Sequence, residues 1–271
     1  GDLTYPYRLI DNSTETVKEI FENKHYLSKK IIESQKPVII VGQSILKHDS
    51  GAFIFEELKD FLKKNNKINE KWNSLNLLSN HASTVGAYDL DIFSSENGEN
   101  VFLENLHKNN YDLIFLFGQD NLNFTKKNEF VVYIGTHGDK GAEISDLILP
   151  GAAYTEKETH YTNLEGRLQK TYKASYPPGD ALEDWEIINK LSELIKRKKL
   201  FKDKNELVDS MINYLKLKKE KTSNFLPDSK NEVVSEKISV SEIDYYYSNV
   251  IARASKTMSE CRNNFLKFKK T

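Results

Sequence analysis

The groups best equipped for chemistry lie between Phe130 and Thr171. His137 sits in the loop Gly135-Thr136-His137-Gly138-Asp139-Lys140-Gly141, and a polar segment further on carries Glu156, Glu158, His160, Asn163, Glu165 and Arg167. Histidine offers acid–base or metal chemistry near neutral pH, and paired carboxylates offer a general acid and a general base. The spacing supports neither. No second histidine or cysteine stands near His137 or His160 at zinc-ligand spacing, so both read as surface or hydrogen-bonded histidines. No nucleophile or metal set is identifiable for Glu156, Glu158 and Glu165 to serve. Asn163, Glu165 and Arg167 read as residues that hold a loop together, with the guanidinium paired to Glu165 or Glu156 where Gly166 lets the chain turn sharply. The one cysteine, Cys261, falls on an apolar helical stripe and reads as a small buried apolar residue. No catalytic, cofactor-binding or metal-ligating residue is assigned.

The elements that must position these groups alternate in type. Phe130 to Ile134 is apolar and rich in β-branched and aromatic residues, as suits a strand buried on both faces. Leu147 to Leu149 is a second run, cut by Pro150-Gly151. Upstream, Pro37 to Gly42 reads as a buried strand followed by a helix with Phe55, Leu58, Phe61 and Leu62 on one stripe, and Leu75 to Leu78 is a weaker strand. A helix capped by Ser13 or Thr14 comes before them, Ser94 to Asn100 is rich in turns, and Tyr111 to Phe117 is another buried strand. Strands alternating with helices predict an α/β fold with a doubly wound, mainly parallel sheet. Neither a G-x-G-x-x-G fingerprint nor a P-loop follows any strand.

After Tyr172, Pro177-Pro178-Gly179 stops the chain, and Asp180 with Glu183 makes a capping-box pattern before a helix with Trp185, Ile188, Leu191 and Ile195 on one stripe. The basic run Lys196 to Lys199 suits that helix's C-terminus. Asp203 and Glu206 repeat the capping pattern. Residues 216–240 are charged and poor in apolar groups and read as a flexible linker. Val250, Ala254, Met258, Cys261 and Phe265 restore helical spacing in a tail. The expected division is an α/β body over 1–215, a charged linker over 216–240 and a helical tail over 241–271.

The stretch SDLILPGAAYTEKETHYTNLEGRLQKT resembles the signature of the molybdopterin-oxidoreductase fold, most closely as it occurs in the G subunit family of respiratory complex I, the large iron–sulfur subunit of NADH:quinone oxidoreductase. DLTYPY, KPVIIVGQS, PPGDALEDWEIINKLSEL and IARASKTMSEC resemble the same family, in its order, over nearly the whole chain. The chain begins at Gly1 inside such a stretch, which implies the C-terminal portion of a longer subunit. The resemblance implies scaffold and docking work in support of electron transfer from NADH to quinone, coupled to proton pumping. It implies other subunits of the complex I peripheral arm as partners, and a place on the cytoplasmic face of a bacterial inner membrane or the matrix side of the mitochondrial one. It implies iron–sulfur clusters only in a region N-terminal to these residues, and no pterin here. A piece of an active molybdopterin enzyme such as a formate dehydrogenase is the alternative.

Composition narrows the field further. The 271 residues are 38% hydrophobic and 29% charged, enough for a sizeable core under a very polar exterior. A net charge of −1 gives no global attraction to nucleic acid. A single cysteine excludes an internal disulfide and a cysteine-ligated cluster. No apolar run approaches the roughly 18 residues of a membrane span, so no direct membrane insertion is expected.

Overall fold

A computed structural model describes residues 5–92, 104–120, 124–220, 232–238 and 244–268. The turn-rich stretch 94–100, residues 221–231 and 239–240 of the charged segment, and residues 2–4 lie outside the described residues. Contacts divide the chain into two compact units, residues 1–84 with 222–242 and residues 85–221 with 243–271.

In the first unit, α1 (Thr14–Phe21) starts at Ser13, whose hydroxyl accepts from Glu15 N, and α2 (Tyr26–Glu33) follows. β1 (Ile39–Gly42) leads through a 3-10 turn into α3 (Gly51–Lys64). Only glycine fits at 51, because a Cβ there would lie 2.1 Å from the Ile45 carbonyl oxygen. The short antiparallel pair β2 (Ile68–Asn69) and β3 (Trp72–Asn73) precedes β4 (Leu75–Leu78), which runs parallel to β1 with Ile39 opposite Leu75. The result is a βαβ unit. Its core is Leu58, Phe61, Leu62 and Leu75, backed by Phe21, Ile39, Val41 and Phe55, as the helical stripe predicts. The reading of β1 as fully buried is corrected. Val38 is 60% exposed and Ile40 66%, because α3 covers only the face that carries Ile39 and Val41.

Part of the charged segment belongs to this unit. Residues 232–238 run antiparallel to the entry of α1. Thr14 N donates to the Glu236 carbonyl at 3.0 Å, Thr14 Oγ1 donates to the Val234 carbonyl at 2.7 Å, and Ile238 N donates to the Asn12 carbonyl at 2.6 Å. Buried Thr14 thus spends both donors on the incoming strand.

In the second unit, α4 (Thr84–Asp89) is followed by β5 (Leu113–Phe117), β6 (Phe130–Gly135), α5 (Lys140–Glu143) and β7 (Leu147–Pro150). The three strands are parallel in the order β5–β6–β7, with Leu116 opposite Tyr133 and Ile134 opposite Leu149. Central β6 is covered on both faces. Val131 and Tyr133 pack with Leu116, Ala142 and Ile144, whereas Val132 and Ile134 pack with Leu149, Leu182, Ile187 and Leu191. The antiparallel hairpin β8 (Thr159–Thr162) and β9 (Leu168–Thr171) comes next, then α6 (Asp184–Lys196) and α7 (Lys204–Glu220). A 3-10 turn at Tyr245–Tyr247 opens the tail, followed by α8 (Val250–Ala254) and α9 (Lys256–Phe268).

Three expectations about the helices change. The capping box before α6 is Glu183 with Glu186, whose carboxylate accepts from Glu183 N at 3.0 Å, and not Asp180 with Glu183. The start is displaced because Leu182 is first held in extended pairing, its amide to the Pro150 carbonyl and its carbonyl to Ala152 N. The buried stripe of α6 is also rotated by one residue. Ile187 is 6% exposed beside Val132 and Ile134, whereas Ile188 is 38% exposed and Ile195 lies in the open. Finally, the tail is two helices, since Ser255 turns extended between them, and Cys261 is exposed on the second.

Ile187→Ala is expected to cost about 2–4 kcal/mol and Ile188→Ala less than about 1 kcal/mol, since only the first removes methylene groups from a packed site. Denaturant midpoints of the two variants check this, and a larger loss for Ile188→Ala would show that α6 packs through the other residue.

Candidate functional site

The signature segment folds into a turn and a hairpin, and its polar groups are spent on one another. Glu156 closes the turn after β7, its carboxylate accepting from Ala153 N at 2.9 Å. Glu158 pairs with Lys170 across the hairpin at 3.1 Å, and that ammonium holds its carboxyl below the usual carboxylate range. Asn163 is the hub of the hairpin loop. Its Oδ1 accepts from Glu165 N at 3.0 Å and Arg167 N at 2.9 Å, while its own N–H reaches the Arg167 carbonyl and Gly166 takes φ +77°. A short side chain that mimics the backbone at a tight turn is the reason asparagine belongs there. The expected ion pair of Arg167 does not form. Its side chain is exposed and makes no ion pair among the described residues, and the Glu156 carboxylate is taken up by Ala153 N.

His160, on β8, is half-buried. It borders a cleft of about 520 Å3 with Trp185, Phe201, Lys204, Met211 and Tyr214. Burial, reinforced by the cations of Lys170 and Lys204, lowers its pKa below the ordinary histidine value. The charged groups around this cleft are mutually neutralised: Lys157 pairs with Asp184 at 2.8 Å and Lys204 with Glu183 at 2.5 Å. Glu183 also accepts from Trp185 Nε1 at 3.2 Å. Behind it, buried Asn189 ties the α6–α7 connection, accepting from Leu200 N and Phe201 N and donating to the Phe201 carbonyl.

A second polar cluster, missed in the sequence, lies at the carboxyl ends of β5 and β6. The buried Tyr133 hydroxyl lies 3.2 Å from Asp120 Oδ2 and 3.1 Å from the His137 carbonyl. Asp139 caps α5 and pairs with the guanidinium of Arg253 from α8. His137 contributes through its backbone; its ring Nδ1 is 2.9 Å from Thr136 Oγ1. Burial raises the Asp120 carboxyl, opposed by the Tyr133 hydroxyl. Burial also works to raise Asp139, but Arg253 and the Lys140 amide outweigh it and hold it low. Asp120 and Asp139 each stand just beyond a predicted strand, which is the available signal for them. Nothing local marks Arg253. Among the described residues there is no cluster of histidine, cysteine, aspartate and glutamate fit to hold a metal ion.

A parallel sheet with its polar loops at the strand ends, joined to a separate helical tail, is the architecture to set beside known proteins. The chain belongs to the molybdopterin oxidoreductase family, which it matches over residues 1–194. Residues 215–261 match a second family, the C-terminal region of the G subunit of NADH-ubiquinone oxidoreductase. Among its relatives, the chain is 37% identical over 96% of its length to the NADH-ubiquinone oxidoreductase 75 kDa subunit of Reclinomonas americana. It is 34% identical over 95% to the G subunit of NADH-quinone oxidoreductase from Rickettsia bellii, and 34% identical over 88% to the mitochondrial 78 kDa subunit of the Candida albicans enzyme. It spans 39%, 37% and 34% of the lengths of these relatives.

Asn163→Ala is expected to destabilise the chain by about 1–2 kcal/mol through two orphaned amides, and Arg167→Ala by less than about 0.5 kcal/mol. Chemical denaturation decides, and a larger loss for Arg167→Ala would restore the ion pair.

His160 adds a pH dependence. The unfolded chain takes its proton near pH 6.5 and the folded chain only at lower pH, so stability should fall as pH drops from about 7.5 to about 5.5. His160→Gln should flatten that slope; an unchanged slope in the variant would refute the assignment.

Proposed function

We propose that this chain is the scaffold and docking part of the G subunit of complex I. It holds its neighbours in place while NADH is oxidised, quinone is reduced and protons are pumped. The observation that carries this reading is the succession, in one chain, of a molybdopterin-oxidoreductase body and the C-terminal region particular to that subunit. The second match is what favours it over a piece of a formate dehydrogenase, which the first match alone would fit.

In this reading the iron–sulfur clusters belong to a region N-terminal to these residues. Its partners are other subunits of the peripheral arm, on the cytoplasmic face of a bacterial inner membrane or the matrix side of the mitochondrial one. Among the described residues no helix is long and apolar enough to cross a membrane. The ion pairs of the signature segment and of the start of α6 support structural work, since a carboxylate already bound to lysine is a poor general base. No catalytic, cofactor-binding or metal-ligating residue is proposed.

Residues 1–271 purified alone are expected to hold neither iron nor molybdenum by elemental analysis and to reduce no artificial acceptor with NADH or formate. The full-length protein, tagged and isolated gently from its own cells, should bring with it NADH:quinone oxidoreductase activity. Stoichiometric molybdenum and formate-driven turnover would instead establish the alternative.

A further inference from the structure

The charged cluster at the carboxyl ends of β5 and β6 joins two parts of the chain that the sequence separates by more than a hundred residues. The tail is braced internally. Arg262 pairs with Asp244 at 2.5 Å and lies over the Tyr247 ring at 4.6 Å, and the Tyr247 hydroxyl donates to Ser259 Oγ at 3.0 Å. Among the described residues, the ion pairs between this tail and the α/β body all run through Arg253. Its Nε meets Asp139 Oδ2, its Nη2 stands 3.9 Å from Asp120 Oδ2, and its Nη1 donates to the Tyr247 carbonyl at 3.3 Å. The planar fork is used on three sides at once, which an ammonium on a flexible stem would not reproduce.

The socket itself is incomplete without that cation. The Asp120 side chain is 0% exposed, and its Oδ1 has no hydrogen-bond partner among the described residues. Two carboxylates face one guanidinium, so removing the guanidinium leaves like charges together in a water-poor site. A proton resolves this. Tyr133 has one hydroxyl hydrogen for two acceptors, Asp120 Oδ2 and the His137 carbonyl. A protonated Asp120 donates to the Tyr133 oxygen and frees that hydrogen for the carbonyl. The other groups acting on Asp120 are Asp139, Arg253 and the Gly141 amide, with Lys140 beside Asp139.

We propose that Asp120, Asp139 and Tyr133 form a guanidinium-selective socket in which Arg253 seats the C-terminal tail, and that unseating the tail takes up a proton at Asp120. The tail is therefore a clasp that acid loosens. Burial of the Asp120 carboxyl acts in the same direction.

The test uses the intact chain and hydrogen exchange over residues 244–268, corrected for intrinsic rates. Arg253→Ala should speed exchange in the tail at least tenfold while leaving β6 unchanged. Methylguanidinium at tens of millimolar should restore protection in that variant, and methylammonium at the same concentration should not. Arg253→Lys should fall between the two. Wild-type tail protection should decline from pH 7.5 to pH 5.5, and Asp120→Asn, an isosteric change, should remove most of that decline. Unchanged exchange in Arg253→Ala overturns the clasp. Rescue by both cations or by neither overturns the guanidinium selectivity, and a wild-type profile flat in pH overturns the proton linkage.

Discussion

Tyr133 governs the carboxyl end of the three-stranded sheet because both its ring and its hydroxyl must be buried and satisfied. The ring leans along β6 and over the following loop. A Cβ on Gly135 would lie 2.3 Å from the Tyr133 hydroxyl oxygen, and one on Gly141 would lie 2.6 Å from the Gln119 carbonyl oxygen and 3.0 Å from the ring. These two glycines are set by close approach, not by unusual dihedrals. The loops after β5 and β6 therefore close over one aromatic side chain, and that closure brings Asp120, the His137 carbonyl and Asp139 together. Burial and the Asp120 carboxylate keep the phenol firmly protonated, so it remains a donor.

The same economy runs through the signature segment. Groups whose types suggest chemistry are consumed as ties: Glu156 to a turn, Glu158 to Lys170 and Asn163 to its own loop, with Glu183 beyond the segment tied likewise to Lys204 and Trp185. Most of these are half-exposed pairs, each contributing modestly, and they act by fixing geometry more than by adding stability. These internally neutralised loops stand on a sheet whose central strand β6 is buried on both faces, while β5 and β7 each leave apolar side chains such as Phe115 and Ile148 exposed. Exposed apolar side chains stand at β1 in the first unit, on Val38 just before it and on Ile40, and separately at the α6 C-terminus in the second, on Leu194 and Ile195.

Much of this was legible in the residues. Short-range patterns determined the strands at 39–42, 75–78, 113–117, 130–135 and 147–150, the stripe of α3, a cap at Ser13 or Thr14, which the structure settles as Ser13, and the turn at Gly166, because each depends on neighbours within a few positions. The family motifs were legible for the same reason. Tertiary structure alone decided which face of a strand or helix is covered. Val38, Ile40 and Ile188 have core composition yet lie exposed, because burial depends on a second element that periodicity does not place. It displaced the start of α6, where pairing of Leu182 with the strand before it outcompeted a local cap. It also decided the ion pairs. Arg167 sits among carboxylates in sequence and meets none among the described residues, whereas Arg253 has no acidic partner nearby in sequence and meets two, since charge pairing is set by distance in space and not along the chain.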